Sequence, residues 1–409
     1  MTRDRGRKRL LIYSHDSFGL GHLRRCRAIA HALVDSRKDL SVLILSGSPI
    51  IGSFDFRTRV DFVRIPGVIK LRNGNYTSLS LDMAVEETLA MRAAIIRHTA
   101  SAFVPDLVLV DKEPLGLRGE VGETLTMMKA QGVPLILGLR DVMDDPAMLQ
   151  EEWDRKNAIP ALRDLYDQIW VYGLPQICDP LAGVNVPASV RRKMHYTGYL
   201  RRALPSGGGA ETLAAITTNE PYLLVTTGGG GDGAVLIDWV LRAYEHNPEG
   251  LLPAILVLGP FMNANLQGGF KQRASQLPQV QAITFDAHVE SLMANAAGVV
   301  AMGGYNIFCE FISFDKPTLL VPRTVPRLEQ HIRASRAHEL GLCQMLEDDS
   351  LRRPSIMADA LRALPNQRRP SEVRIPGLLD GLSTINRLVD GWLNEREREA
   401  RLAVIGKAT

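Results

Sequence analysis

The feature that most constrains this chain is an alternation, along most of its length, of short apolar runs with longer helical patterns. The apolar runs lack a polar face, which is typical of strands covered on both sides. We therefore predict an α/β fold of doubly wound parallel sheets. The predicted strands are Arg9–Ser14, Leu40–Leu45, Leu107–Asp111, Pro134–Leu139, Ile169–Tyr172, His195–Thr197, Tyr222–Thr226, Ala254–Leu258, Val280–Phe285, Gly298–Ala301 and Thr318–Val321.

The length of 409 residues exceeds one ordinary core and suits two domains. The alternation stops at 205–219, a polar segment that begins with Pro205, Ser206 and three glycines and is typical of a linker. We predict an N-terminal domain at 1–204, a C-terminal domain at 220–377 and a charged helical tail at 378–409. The predicted helices are Leu23–Ser36, Ala234–His246, Val289–Ala296, Ile307–Phe314 and Glu329–Leu340.

Composition narrows the function classes. The net charge of +3 does not favour nucleic acid as a partner, and four widely spaced cysteines suggest neither a metal site nor a disulfide framework. No apolar run reaches the roughly 20 residues that cross a bilayer, so we predict a cytoplasmic protein. The arginines at 24, 25 and 27 are expected on a solvated surface. They and the apolar loop near Val68–Leu71 leave open a peripheral contact with the inner face of the cell membrane.

The first loop with chemical character runs from the first predicted strand into its helix, as His15-Asp16-Ser17-Phe18-Gly19-Leu20-Gly21-His22. Gly19 and Gly21 permit a tight turn close to a ligand. His22 opens the helix, where the dipole disfavours its protonation, and a neutral imidazole can act as a general base. A capping loop with an incidental histidine is the alternative. Asp111, which ends another strand, is expected on the acceptor side.

A glycine run at 228–233 follows the first strand of the second half. Its amides and the next helix N-terminus form a pattern suited to a diphosphate. The run also contains GxGxxG, the dinucleotide fingerprint. That alternative requires an acidic residue at the end of the next strand, which instead reads Leu258-Gly259-Pro260. We therefore expect neither a nicotinamide nor a flavin cofactor.

Two further strand-to-helix junctions carry candidate binding residues. After Gly303 and Gly304, Glu310 lies about one turn inside a helix, where its carboxylate can accept hydrogen bonds from ribose hydroxyls. Glu329 and Gln330 open the following helix and can bind sugar hydroxyls. The acidic segment with Asp141 and Asp144 is expected to be a solvated turn, because the second ligand set of a metal site is missing. We predict no metal site.

Taken in order, five segments of this chain resemble glycosyltransferase family 28, the MurG type. They are the 17–22 loop, Thr197-Gly198-Tyr199-Leu200-Arg201-Arg202, the 228–233 run, the 303–310 element and Glu329-Gln330. The N-terminal stretch also looks like a branch of predicted bacterial glycosyltransferases. The chain departs from the family at Ser17-Phe18, where two glycines are usual, and at Glu329, where the type enzyme has an amide.

This resemblance implies the GT-B fold, in which two Rossmann-like domains face each other across a cleft. It implies an inverting, metal-independent hexosyltransferase that needs no cofactor. The expected donor is a nucleotide-diphosphate sugar, uridine-linked as in UDP-N-acetylhexosamine, and the acceptor is a glycan or a lipid-linked hydroxyl. A nucleotide-sugar hydrolase or 2-epimerase of the same fold, or a non-catalytic nucleotide-sugar-binding protein, is the alternative.

The resemblance also implies roles for individual residues. Gly19, Gly21 and His22 match the acceptor loop, with His22 as the catalytic group. The residues that match the nucleotide-sugar site are Arg202, Gly229, Gly230, Gly231, Phe285, Gly304, Tyr305, Glu310, Glu329 and Gln330.

Overall fold

The computed structural model of the chain describes residues 6–16, 21–70, 76–204, 220–284 and 289–405. These residues form two compact units, one of Met1–Leu200 with Asp380–Thr409 and one of Arg201–Leu379. Each unit is built on its own parallel sheet, which confirms the predicted α/β fold with two sheets. The predicted linker at 205–219 lies outside the described residues.

The first unit contains a seven-stranded sheet in the order β3-β2-β1-β6-β7-β8-β9 and a separate β4-β5 antiparallel pair. Its elements are β1 Lys8–Ser14, α1 Gly21–Ser36, β2 Leu40–Ser46, β3 Val60–Arg64, β4 Val68–Lys70, β5 Tyr76–Ser78, α2 Val85–Phe103, β6 Leu107–Asp111, α3 Gly122–Ala130, β7 Leu135–Arg140, α4 Pro146–Arg155, α5 Ala158–Asp164, β8 Gln168–Tyr172, α6 Ala188–Arg191 and β9 Met194–Tyr196.

The second unit contains a six-stranded parallel sheet in the order β12-β11-β10-β13-β14-β15. Its elements are β10 Leu223–Thr226, α7 Ala234–His246, β11 Ala254–Val257, α8 Ala264–Ala274, β12 Val280–Ile283, α9 Val289–Asn295, β13 Gly298–Ala301, α10 Tyr305–Ser313, β14 Thr318–Leu320, α11 Glu329–Glu339, β15 Gln344–Met345 and α12 Pro354–Ala363.

Both sheets reverse their strand order at one point, between β1 and β6 in the first unit and between β10 and β13 in the second. At such a switch point the loops after the two strands diverge to opposite faces of the sheet. The crevice between them is where open α/β sheets bind ligands. The carboxyl ends of β1, β6, β10 and β13 are therefore the places where a site is expected.

The C-terminal helix α13, Gly381–Ile405, belongs to the first unit, although it follows the second unit in sequence. Its residues Ile385, Val389 and Leu393 are buried and recur every four positions, so they form one apolar stripe. Arg37 at the end of α1 donates a hydrogen bond of 2.9 Å to Asp390. The helix starts tightly against the chain, since a Cβ at Gly381 would lie 2.6 Å from the carbonyl oxygens of Gly198 and Tyr199.

The predicted elements match the observed ones to within three residues at each end where the structure describes them. The edge strands β3 and β15 and the β4-β5 pair were not predicted, and no bounds were predicted for the helices α2–α6, α8 and α12. The edge strands are short or only partly buried, so their apolar pattern is weak. Among the described residues, no helix combines the length and apolarity needed to span a membrane.

Candidate active site

The first turn of α1 is fixed by a buried carboxylate, Asp16, which follows β1. One oxygen of Asp16 accepts a hydrogen bond of 3.1 Å from the Leu23 amide, and the other accepts one of 2.5 Å from the Ser46 hydroxyl at the end of β2. Burial raises the pKa of Asp16. Asp16 thus ties the start of α1 to two neighbouring strands, and this sets the position of His22. Gly21 begins the helix, and Gly19 lies outside the described residues.

His22 and Asp111 meet at the switch point of the first sheet. The His22 Nδ1 atom lies 2.5 Å from Asp111 Oδ2, although the two residues are 89 positions apart. The contact exists because β1 and β6 are hydrogen-bonded neighbours, so the first turn after β1 lies beside the last residue of β6. The Asp111 side chain is 1% exposed and that of His22 is 17% exposed. The structure therefore brings together the predicted base and a residue predicted for the acceptor side.

Arg25, one turn further along α1, binds the same carboxylate. Its Nε and Nη2 atoms donate hydrogen bonds of 2.8 and 2.6 Å to the two oxygens of Asp111, in the bidentate geometry that guanidinium groups favour. The expected surface position is therefore wrong for Arg25, whose side chain is only 2% exposed. Sequence reasoning missed this residue because its helical phase, in line with buried Cys26 and Ile29, was obscured by the arginines around it.

The charges in this cluster have defined states at neutral pH. Burial alone would raise the pKa of Asp111, but Arg25 and His22 outweigh burial and hold that pKa well below its usual range. Burial lowers the pKa of His22, Asp111 opposes this effect, and Arg25 adds to it. The imidazole is therefore neutral at pH 7. A contact of 2.5 Å to an ionised carboxylate assigns the proton to Nδ1 and leaves the Nε2 lone pair as the basic site.

In the second unit, the glycine run forms a tight loop between β10 and α7. Gly230 has a φ of +86°, and a Cβ there would lie 2.4 Å from the Leu258 carbonyl oxygen. A Cβ at Gly259, after β11, would lie 2.6 Å from the Gly230 nitrogen. The two loops thus pack backbone against backbone, which only glycine permits. Gly229 is partly buried and Gly231 is exposed, so this run includes accessible backbone.

The next junction, between β13 and α10, carries most of the predicted donor residues. Gly303 has a φ of +84°, Gly304 precedes the helix, and a Cβ at Gly304 would meet no atom within 4 Å. Tyr305 begins α10 and is 3% exposed, and Glu310 within the helix is fully buried. The backbone start of the helix is thus uncovered on the Gly304 side, which suits an anion.

Arg202 adds a positive charge to this helix N-terminus. Its Nη2 atom donates a hydrogen bond of 2.8 Å to the Asn306 side chain in the first turn of α10. Its backbone amide donates one of 2.9 Å to the Ser313 hydroxyl at the other end of the same helix. Arg202 is therefore brought to the predicted phosphate position, 104 residues away in sequence.

Glu329 and Gln330 begin α11 and are connected to the glycine loop by Arg323. The Arg323 guanidinium pairs with Asp232 in that loop and lies 3.3 Å from Glu329 Oε1. The Arg323 amide donates a hydrogen bond of 3.3 Å to the Gln330 side chain. No role was predicted for Arg323, whose only signal was its place after the strand that precedes the Glu-Gln pair.

One other prediction, the solvated turn after β7, is wrong. The acidic segment after β7 is buried. Asp141 is fully buried and accepts a hydrogen bond of 2.7 Å from the Tyr199 hydroxyl, and Asp144 is only 7% exposed. In the part of the chain that the structure describes, no group of three or more His, Cys, Asp or Glu residues is arranged to hold a metal ion. Phe285 lies outside the described residues.

One known protein family matches most of the second unit. Residues 223–374 match the glycosyltransferase family 28 C-terminal domain. This segment contains β10 to β15 and therefore both glycine junctions and the start of α11. No curated protein sequence matches the chain.

Solved structures resemble the chain over nearly its whole length. The calicheamicin glycosyltransferase CalG4 aligns with a TM-score of 0.58 at 15% identity, over 95% of this chain and 98% of its own. A UGT transferase from Siraitia grosvenorii, solved with UDP, gives 0.60 at 14% identity, over 95% and 100%. MurG from Acinetobacter baumannii gives 0.56 at 11% identity, over 94% and 99%. Residues 223–374 thus match the glycosyltransferase family 28 C-terminal domain, within a chain that has the GT-B fold of these glycosyltransferases.

Proposed function

We propose that this protein is an inverting glycosyltransferase that transfers a sugar from a nucleotide-diphosphate sugar to a hydroxyl of a glycan or lipid-linked acceptor. The observation that carries the proposal is the match of residues 223–374 to the glycosyltransferase family 28 C-terminal domain. The proposed donor is uridine-linked, as in UDP-N-acetylhexosamine. The UDP bound to the Siraitia grosvenorii transferase of the same fold supports this choice of nucleotide.

The second unit binds the donor in this proposal. The amides at Gly304 and Tyr305 and the Arg202 guanidinium receive the diphosphate, since a helix N-terminus beside a cation attracts negative charge. Glu310, one turn into the same helix, accepts hydrogen bonds from the ribose hydroxyls. Glu329 and Gln330 contact the sugar, with Arg323 holding both at the start of α11.

The first unit supplies the base. His22 Nε2 removes the proton from the acceptor hydroxyl while that oxygen forms a bond to the anomeric carbon from the side opposite the diphosphate. The bond between the anomeric carbon and the diphosphate oxygen breaks, and the nucleoside diphosphate leaves with the electron pair. Asp111 keeps the Nδ1 proton in place and stabilises the imidazolium that forms. Backbone amides and Arg202 take up the charge of the leaving group, so the mechanism needs no metal.

The test begins with calorimetric titration of the purified chain with a panel of nucleotides and nucleotide-sugars, with and without Mg²⁺. We expect binding of one nucleotide-diphosphate sugar in the absence of metal. Glu310→Gln should weaken the affinity for that donor, because an amide accepts fewer hydrogen bonds than a carboxylate. Asp315→Asn, on the loop just after α10, is the matched control and should bind normally. A folded protein that binds none of the panel would refute the proposal.

Turnover then separates the transferase from its alternatives. With a glycan and lipid-linked acceptor panel, release of nucleoside diphosphate should require an acceptor and should fall about 100-fold or more in His22→Ala, while donor affinity stays unchanged. Release at full rate without any acceptor would identify a hydrolase or an epimerase. Donor binding without turnover on any acceptor, and no effect of His22→Ala, would identify a non-catalytic binding protein.

A further inference from the structure

Arg333 is a fully buried arginine in the second unit, on the face of α11 that packs against the β13–α10 junction. Its Nη1 atom donates a hydrogen bond of 2.9 Å to the Gly303 carbonyl oxygen. Its guanidinium carbon lies 5.8 Å from the ring centre of Tyr305, the first residue of α10. A guanidinium group stays protonated in proteins and is rarely buried unless polar groups compensate its charge. Arg333 therefore places a buried positive charge beside this junction.

The carbonyl that Arg333 contacts is oriented by the backbone of Gly303. The φ of Gly303 is +84°, a conformation that residues with a side chain rarely adopt. A Cβ at this position would lie 3.6 Å from the Gln330 carbonyl oxygen and 3.9 Å from the Ala334 side chain, so α11 packs closely on the turn. The hydrogen bond from Arg333 thus joins the turn to the helix that begins with Glu329 and Gln330.

The Gly303 carbonyl and the Gly304 amide belong to one peptide group. A hydrogen bond from a cation to the carbonyl oxygen polarises this group, and the polarisation strengthens its N–H as a hydrogen-bond donor. Gly304 has open space beside it, since a Cβ there would meet no atom within 4 Å. Arg333, which is fully buried, therefore acts from the protein side on the amide for which we propose a contact with the diphosphate.

We propose that Arg333 is a positioning residue for the donor, which fixes the Gly303–Gly304 peptide and strengthens its N–H group for binding to the diphosphate. The inference rests on the proposed function, because it assumes that the Gly304 amide receives the diphosphate. Arg202 is half-buried and donates its hydrogen bond to the Asn306 side chain in the first turn of the same helix. Two arginines thus act at one helix start, Arg202 by direct contact with the ligand and Arg333 through the peptide.

The first test observes the Gly304 amide by NMR in the full chain without ligand. In a sample labelled with ¹⁵N at glycine only, the Gly304 signal is assigned by its absence from the spectrum of Gly304→Ala. Arg333→Met should move this signal upfield, because the amide loses its polarisation. The matched control is Arg336→Met, since Arg336 lies one turn further along α11, is 43% exposed and pairs with Glu339. A Gly304 signal that Arg333→Met leaves in place would overturn the inference.

The second test measures affinities for UDP and for uridine by calorimetry. Arg333→Met should weaken UDP binding about tenfold and leave uridine binding unchanged, because only the diphosphate contacts the Gly304 amide. Unchanged uridine binding also shows that the variant is folded. Arg333→Lys keeps a cation and should bind UDP about threefold more tightly than Arg333→Met does. Equal losses for UDP and uridine, or a lysine variant no better than the methionine variant, would overturn the inference.

Ionic strength distinguishes the buried arginine from one that solvent screens. The ratio of UDP affinities between the native protein and Arg333→Met should be the same at low and high salt, because a fully buried charge is screened little. The corresponding ratio for Arg202→Gln should decrease as salt is added. A ratio for Arg333 that disappears at high salt would overturn the inference. A native protein that binds no UDP would refute the proposed function and this inference together, whereas UDP binding unaffected by Arg333→Met would refute the inference alone.

Discussion

The contact between Arg25 and Asp111 predicts that removing one of the two charges lowers the stability of the protein far more than removing both. In Asp111→Asn, the Arg25 guanidinium stays 2% exposed and loses the ionised partner to which it donates two hydrogen bonds. Breaking a buried pair on one side costs roughly 3 to 5 kcal/mol. Asparagine keeps one oxygen that can accept a hydrogen bond, so we expect the free energy of unfolding to fall by about 3 kcal/mol, near the lower limit of that range.

The double variant Arg25→Met with Asp111→Asn removes both charges of this pair and keeps most of the side-chain volume. We expect it to recover most of the lost stability, because replacing a whole buried pair is often close to neutral. It should not recover transferase activity, since the group that holds the His22 Nδ1 proton is still missing. This difference between stability and activity separates a structural role of Asp111 from a catalytic one.

Hydrogen exchange of the β1 and β6 amides in urea measures the stability of the first unit without interference from the second. The Asp111 pKa is lower in the folded protein than its ordinary value of about 4, so its contribution is present above that pH and declines as the pH falls. The difference in unfolding free energy between the native protein and Asp111→Asn should therefore decrease as the pH falls. A loss below about 1 kcal/mol at pH 7 would show that solvent screens the pair and would refute the reasoning.

Three further predictions follow from the same geometry. Because the pKa of His22 is lowered, kcat/KM should rise with pH at an apparent pKa below 6.5 and be constant at pH 7. A kcat/KM that still rises above pH 7 would contradict the role of His22 as the base. Arg202→Gln should weaken UDP affinity about tenfold and leave uridine affinity unchanged in calorimetry, and an equal loss for both would exclude a phosphate contact. Gly230→Ala should lower the unfolding free energy of β10, measured by hydrogen exchange, by roughly 2 kcal/mol more than Gly228→Ala does. Both glycines have positive φ, but an added Cβ would lie 2.4 Å from the Leu258 oxygen at Gly230 and would meet no atom within 4 Å at Gly228. Equal losses of stability in the two variants would show that φ alone matters.

Local features of this protein were predictable because their signals lie within a few residues of chain. The strand runs and the helices that follow them have their own periodicity, and the glycines at 230 and 303 mark turns with positive φ. For these elements the backbone and the nearest side chains decide the conformation, so composition and spacing were sufficient.

Only the tertiary structure decided which distant residues meet. The His22–Asp111 pair and its Arg25 clamp depend on β6 pairing beside β1, although β2 to β5 lie between them in sequence. The burial of Arg25 and the joining of α13 to the first unit depend on the same packing. Strand order and helix packing are set by the summed burial of apolar surface across the whole unit, which no short stretch of sequence contains.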